Sequence, residues 1–214
     1  MRRYLVLNAK GGCGKSTLAT NIAAYFASQW ENVNVTLADF DPQQSSMDWL
    51  AERPADRPEI TGINAHEEGL RHLAPNTDFL VMDAPASTHG KDLTPLLKHT
   101  ETVIVPVLPS SVDIKACSRF VQELKDNSQV QNKKVKIGVV ANRVREHYTI
   151  FEELDEYLQK LRVPYIGHLR DAQNYVRAYS RGLGVWELPP YLAHPDWDQW
   201  MPIVQWLESR KSQP

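Results

Sequence analysis

The stretch Ala9-Lys10-Gly11-Gly12-Cys13-Gly14-Lys15-Ser16-Thr17 decides how the rest of the chain is read. It follows the apolar run Tyr4-Leu5-Val6-Leu7 and precedes apolar residues at helical spacing, so it reads as a strand–loop–helix joint. Gly11, Gly12 and Gly14 let backbone N–H groups turn inward around phosphate oxygens, and a helix starting at Lys15 aims its positive end at them. In that reading Lys15 contacts the β- and γ-phosphates and the Ser16 hydroxyl ligates Mg²⁺. The ordinary phosphate loop, G-x-x-x-x-G-K-[ST], fits everywhere except its first glycine, where Ala9 stands. A second lysine, Lys10, stands before the glycine pair instead.

The chain has 214 residues, 42% hydrophobic and 23% charged, with a formal net charge of −2. That length predicts one domain, residues 1–214, large enough for a sheet covered on both faces. No apolar run approaches the ~18 residues that span a bilayer. The first strand begins close to Met1, which leaves no room for a leader, and the chain is read as cytosolic. Cys13 and Cys117 form no C-x-x-C pair; Cys13 fills the variable slot of the loop, where a small side chain suffices. Charge is uneven: Lys133–Arg181 carries ten Lys and Arg against six Asp and Glu. This block makes either a basic face or an ordinary solvated surface.

Strand-like runs alternate with helical patterns along the whole chain, which predicts βα units and a mostly parallel, twisted sheet with helices on both faces. The runs are Tyr4–Asn8, Val33–Ala38, Ile60–Asn64, Phe79–Met82, Thr102–Leu108, Val135–Ala141 and Tyr165–Gly167. Leu18, Ile22, Phe26 and Trp30, with Ala19 and Ala23, form the inward stripe of the first helix. Asp113 is expected to cap a helix to about Asn127, and Thr149 one to Leu161. Arg53–Pro58 reads as a loop.

Two further strand ends carry acids. Asp39-Phe40-Asp41-Pro42-Gln43 places two carboxylates two residues apart, so both are expected to face the nucleotide. One orders Mg²⁺-bound water and the other orients the attacking water; capping of the next helix is the competing reading for Asp41. Phe79-Leu80-Val81-Met82-Asp83 resembles a Walker-B strand, with Asp83 near Mg²⁺.

Together these residues resemble the ParA/MinD ATPases, whose deviant Walker-A motif is matched by Lys10-Gly11-Gly12-Cys13-Gly14-Lys15-Ser16-Thr17. Asp39-Phe40-Asp41-Pro42-Gln43 resembles the D-x-D-P-Q of the ParA branch, and Pro106–Asp113 its P-x-x-P-S-x-x-D segment. Val139-Val140-Ala141-Asn142-Arg143 is similar to the strand whose Asn reads adenine, and Leu169-Arg170 with Tyr175 and Ala178 to the segment flanking the base. The resemblance implies a P-loop NTPase fold and a Mg²⁺-dependent ATPase whose turnover a partner stimulates. Lys10 reaches the phosphates of a second subunit across an ATP-sandwich homodimer, Lys15 and Asp41 serve the chemistry, and Thr17 lies near the α-phosphate. Asp39 and Asp83 approach the metal through water.

Within the family, two isolated cysteines argue against metal-cluster carriers. The C-terminal pattern Trp197, Trp200, Met201, Val204 and Leu207 suits packing on the body, and its polar positions lack the Lys and Arg of a membrane anchor. The remaining expectation is non-specific DNA on the nucleoid, bound through Arg143, Arg145, Arg170, Arg177 and Arg181. A ParB-like centromere binder or cargo adaptor completes the system. Plasmid, chromosome, carboxysome and chemoreceptor cargoes share these motifs. A MinD-like membrane switch and a metabolic ligase on the same scaffold are the rival readings.

Overall fold

The computed structural model describes residues 1–145, 150–160 and 162–214. Seven strands form one sheet: β1 (Arg2–Val6), β2 (Val35–Asp39), β3 (Thr61–Asn64), β4 (Phe79–Asp83), β5 (Thr102–Val107), β6 (Lys136–Val144) and β7 (Tyr165–Arg170). Their spatial order is β3-β2-β4-β1-β5-β6-β7, and each neighbouring pair is parallel. All seven expected runs are strands, with ends displaced by a few residues. The helices are α1 (Lys15–Gln29), α2 (Ser45–Ala51), α3 (Ala65–Glu68), α4 (Leu93–Lys98), α5 (Ser111–Asp126), α6 (Ser128–Gln131), α7 (Ile150–Lys160), α8 (Gln173–Tyr179) and α9 (Pro190–Glu208).

The period-two alternation of a strand sorts the core into two halves. Tyr4, Val6, Val81, Ile104 and Val140 face α1 and α9, where Leu18, Ile22, Phe26, Trp200 and Leu207 meet them. Leu5, Leu7, Leu80, Met82, Val103 and Val105 face the other way, onto Leu93, Phe120, Val121 and Leu158 of α4, α5 and α7. Tyr4, Phe26 and Phe79 stack at centroid separations of 5.2 and 4.2 Å. Trp30 does not continue this stripe: α1 ends at Gln29, and the indole lies 47% exposed at the edge of Phe79.

The C-terminal helix packs on the body as its pattern suggested, through Trp197, Trp200, Val204 and Leu207, with one exception. Trp200, Val204 and Leu207 are buried, with Ala193, Asp196 and Ile203 beside them, while Met201 points outward at 40% exposure. Two glycines of the sheet admit this helix. A Cβ at Gly138 would lie 2.9 Å from the Trp206 ring, and one at Gly167 would lie 2.7 Å from Ile203. Among the described residues no helix is long and apolar enough to cross a membrane.

Two caps also differ from expectation. Ser110, not Asp113, is the N-cap of α5: its hydroxyl accepts the Asp113 N–H at 3.1 Å, and Asp113 occupies the first turn. Thr149 and Leu161 lie outside the described residues. Arg53–Pro58 is a loop, fixed by a side chain that the sequence alone would leave in solvent. The Arg53 guanidinium reaches both carboxylate oxygens of Glu187, at 2.9 and 2.7 Å, and the Gly182 carbonyl at 3.0 Å. Both side chains of the pair are almost fully buried.

Replacing Glu187 with Ala leaves that guanidinium buried without its counter-charge, and urea melts should show a loss of about 3–5 kcal/mol. Met201→Lys, on the outer face of the same region, should stay within about 0.5 kcal/mol of the parent chain.

Candidate functional site

The carboxyl ends of the strands converge on one open cleft of about 640 Å³. Gly11, Gly12, Gly14, Lys15, Ser16 and Thr17 line it, together with Asn142, Arg143, Arg170, Asp171, Tyr175 and Val176. Ligands of open parallel sheets bind in this position, where helix N-termini and loops meet above the strand ends.

Gly14 holds the N-terminal end of α1 with φ 93° and ψ 30°, a left-handed conformation that suits glycine. Its missing side chain also makes room for Asn142, whose amide nitrogen would lie 2.2 Å from a Cβ there. That amide donates to the Cys13 carbonyl at 2.8 Å, while Asn142 Oδ1 accepts the Arg143 N–H at 3.0 Å. Asn142 therefore lines the cleft as expected, and it also ties the end of β6 to the loop after β1. The Cys13 side chain is buried, its thiol donates to the Lys10 carbonyl at 3.2 Å, and the residue does not line the cleft. Burial pushes its thiol above the ordinary range, and that of Cys117 up to about 12.

Lys15 is the most telling cation. It is only 7% exposed, and it forms no ion pair with any described carboxylate. A buried lysine at the first turn of a helix, with Asp83 near enough to feel its charge but no carboxylate in direct contact, suits a further anion. Lys10 behaves differently. Its ammonium pairs with Asp113 at the start of α5, its backbone N–H is held by Asn8 Oδ1 at 3.1 Å, and it does not line the cleft.

The three acids separate into three environments. Asp83 and Asp39 are register partners on neighbouring strands, and both are wholly buried. Asp83 Oδ2 accepts the Ser46 hydroxyl at 2.8 Å, and Oδ1 is buried with no hydrogen-bond partner. Burial pushes this carboxyl up to about 7; Asp39 adds to that shift, and Ser16, Ser46 and Lys15 oppose it. Asp39 Oδ1 accepts the Asp41 N–H at 2.9 Å, and Oδ2 those of Ser46 and Met47 at 2.9 and 3.3 Å. Asp39 thus caps α2 from the end of β2 and, unlike Asp41, does not line the cleft. Asp41 alone of the two lines the cleft; its Oδ1 accepts the Gln43 N–H at 2.9 Å, a local turn rather than the cap of α2.

These residues fit a hard divalent cation held jointly with a ligand. Ser16 Oγ and the orphaned Asp83 Oδ1 are oxygen donors suited to Mg²⁺. Among the described residues no group of three or more His, Cys, Asp or Glu is arranged to hold a metal. A cation here must complete its shell with water and phosphate oxygens, as Mg²⁺ commonly does. Sequence reading missed Ser46; no spacing rule singles out a serine seven residues beyond Asp39, and only the fold brings it to Asp83.

Two of the five candidate arginines meet carboxylates. Arg170 is clamped by Asp196 at 2.7 and 3.2 Å, and Arg145 meets Asp171 at 3.1 Å. Arg143 lines the cleft, whereas Arg177 and Arg181 are exposed, four residues apart at the end of α8. Leu169 is fully buried in the core and does not reach the cleft.

Comparison with known proteins agrees with this arrangement. Over 189 residues, 86% of each chain, the sequence is 29% identical to the maintenance of carboxysome distribution protein A of Halothiobacillus neapolitanus. The fold is similar to that of a Cyanothece McdA variant in complex with ATP, at a TM-score of 0.72 and 13% identity, covering 95% of this chain and 96% of that one. It is equally similar to the cell division protein MinD of Aquifex aeolicus, at 0.72 and 16%, covering 98% of both. Residues 4–185 match the family model of the CobQ/CobB/MinD/ParA nucleotide binding domain, and the chain belongs to that family.

Proposed function

We propose that this chain is a ParA-type ATPase that uses ATP binding and hydrolysis to time the positioning of a cargo. The observation that carries this reading is Lys15, buried at the start of α1 with no carboxylate in direct contact and facing the glycine loop. The triphosphate of ATP supplies the further anion. Gly11, Gly12 and Gly14 present backbone N–H groups to the phosphates, and Thr17 and Ser16 add hydroxyls from the first turn of α1. Mg²⁺, held by Ser16 and Asp83, supplies charge neutralisation and polarises the phosphate oxygens. Asp41 accepts a proton from, or orients, the water that attacks the γ-phosphate, and Asn142 and Arg170 lie on the side of the cleft where the base would rest.

Lys10 supports a homodimer as the working state. In one subunit it is held outside the cleft by Asp113, so its charge is available to the phosphates of a second copy once that pair opens. Sequence-independent DNA binding to the nucleoid falls to Arg177 and Arg181, because two of the other candidates are spent on Asp171 and Asp196. The carboxysome-distribution relative favours a large protein assembly as cargo, reached through a ParB-like or adaptor protein, over plasmid or chromosome. The packed C-terminal helix speaks against the membrane-switch reading, because its apolar side is spent on the core.

Lys15→Ala should abolish ATP binding by calorimetry while leaving the unliganded chain as stable as the parent or more so, because a buried charge is removed. Asp41→Ala should bind ATP within about threefold of the parent yet turn over at least ~100-fold more slowly, and dimer should accumulate with ATP by light scattering. Joint replacement of Arg177 and Arg181 by Ala should weaken ATP-dependent binding to unrelated DNA sequences and lower the salt slope by about 2, with DNA-free ATPase activity unchanged. Unaltered DNA binding in that variant would remove these arginines from the role.

A further inference from the structure

The C-terminal helix reaches the cleft without lining it. Arg170, at the end of β7, lines the cleft, and its guanidinium is gripped from behind by both oxygens of Asp196. Asp196 has no exposed surface, and it also accepts a bond from Asn174 Nδ2 at 2.7 Å. One turn on, Gln199 accepts the Arg170 backbone N–H at 2.8 Å. Trp200 donates its indole N–H to the hydroxyl of Tyr175 at 3.1 Å, and Tyr175 lines the cleft too. Three neighbouring side chains of α9 thus fix the strand end and two side chains of the cleft wall.

A buried carboxylate is costly, and packing alone does not ask for one at this position. Leu207 and Ile203 show that apolar side chains dock the same helix on the same sheet. Asp196 does two things that an apolar residue would not. It cancels the positive charge of Arg170, and it fixes the plane of the guanidinium at the cleft wall. A neutralised guanidinium attracts phosphate weakly, but its flat face stacks well on an aromatic ring. The layout of the cleft agrees. The cation for phosphate, Lys15, stands at the start of α1, whereas Arg170 lines the same cleft from the end of β7, close in sequence to Ala172, Tyr175 and Val176 of the lining.

We infer that Asp196 is a positioning residue that presents Arg170 flat to the base of a bound nucleotide, so that α9 sets the affinity for the nucleoside half of the ligand. This rests on the cleft being the ATP site proposed above. The test is calorimetric titration of the parent chain, Asp196→Asn and Arg170→Lys with ATP and with inorganic tripolyphosphate, each in excess Mg²⁺. Asp196→Asn removes the carboxylate that orients the guanidinium, and Arg170→Lys keeps the charge but removes the plane. In both variants the Kd for ATP should rise roughly tenfold, while that for tripolyphosphate should fall or rise by no more than about twofold.

A purely structural role for Asp196 would lower thermal stability without changing the ratio of the two affinities. Equal weakening toward both ligands, or unchanged ATP affinity in a folded variant, overturns the inference. If Asp196→Asn does not fold, Arg170→Lys decides alone, since that side chain is 31% exposed. A parent chain that binds neither ligand overturns the ATP reading itself; one that binds both, with unaltered variants, overturns only the role of Asp196.

Discussion

A carboxylate with no exposed surface stands at the end of β4, and the cleft is arranged around the cost of keeping it there. Asp83 lies beside the loop after β1 because β4 and β1 are neighbours, with Val6 opposite Asp83 in register. Its other neighbour, β2, sets Asp39 directly opposite it. Two buried acids side by side are tolerable only if their demands differ. Asp39 is satisfied by three backbone N–H groups and remains part of the scaffold. Asp83 keeps an oxygen without a partner, and burial holds its carboxyl near pH 7 in readiness for a proton or a cation. The strand order of the sheet thus sets the two acids side by side, and the turn after β2 satisfies only the first.

Most of the fold was legible in the sequence because a parallel sheet covered on both faces writes nearly continuous apolar runs. The phosphate loop was legible for a related reason: glycines at fixed spacing and a lysine opening a helix meet few other needs than an anion. What the sequence did not disclose were the partners of charged side chains. Asp39 and Asp41 look equivalent at two residues apart, yet the chain turns sharply after β2 and gives the first to backbone and the second to the cleft. Ser110 and Asp113 both suit a helix start; the serine stands at the N-cap, and the acid, in the first turn, meets both the serine hydroxyl and Lys10.

The arginines illustrate the same limit. A count of charges over Lys133–Arg181 treats each side chain as free to meet solvent or DNA. In the fold, Arg170 is neutralised from α9, 26 residues further along the chain, and Arg145 by Asp171 across the end of β7. A surplus in a stretch of sequence becomes a charged surface only if the folded partners lie elsewhere. Met201 and Ile203 show the apolar counterpart: the helical stripe on α9 was legible, but which residue at its margin is buried was set by where the sheet could receive it.

Gly138 on β6 and Gly167 on β7 form two notches on neighbouring strands, offset along the sheet because Gly167 stands opposite Val140, and Trp206 and Ile203 of α9 enter them three residues apart. A single notch would let the helix pivot, whereas two of them fix its rotation and its travel along its axis together. A slip of one residue would drive bulk into the strands at both places. The glycines therefore work as a gauge: by seating the helix at one setting, they determine which of its residues stands behind the wall of the cleft. A bulkier residue at either strand position would have to be answered by a smaller one on the helix, and any substitution that moved the helix would be felt at the ligand, more than a helix turn away from the altered atom.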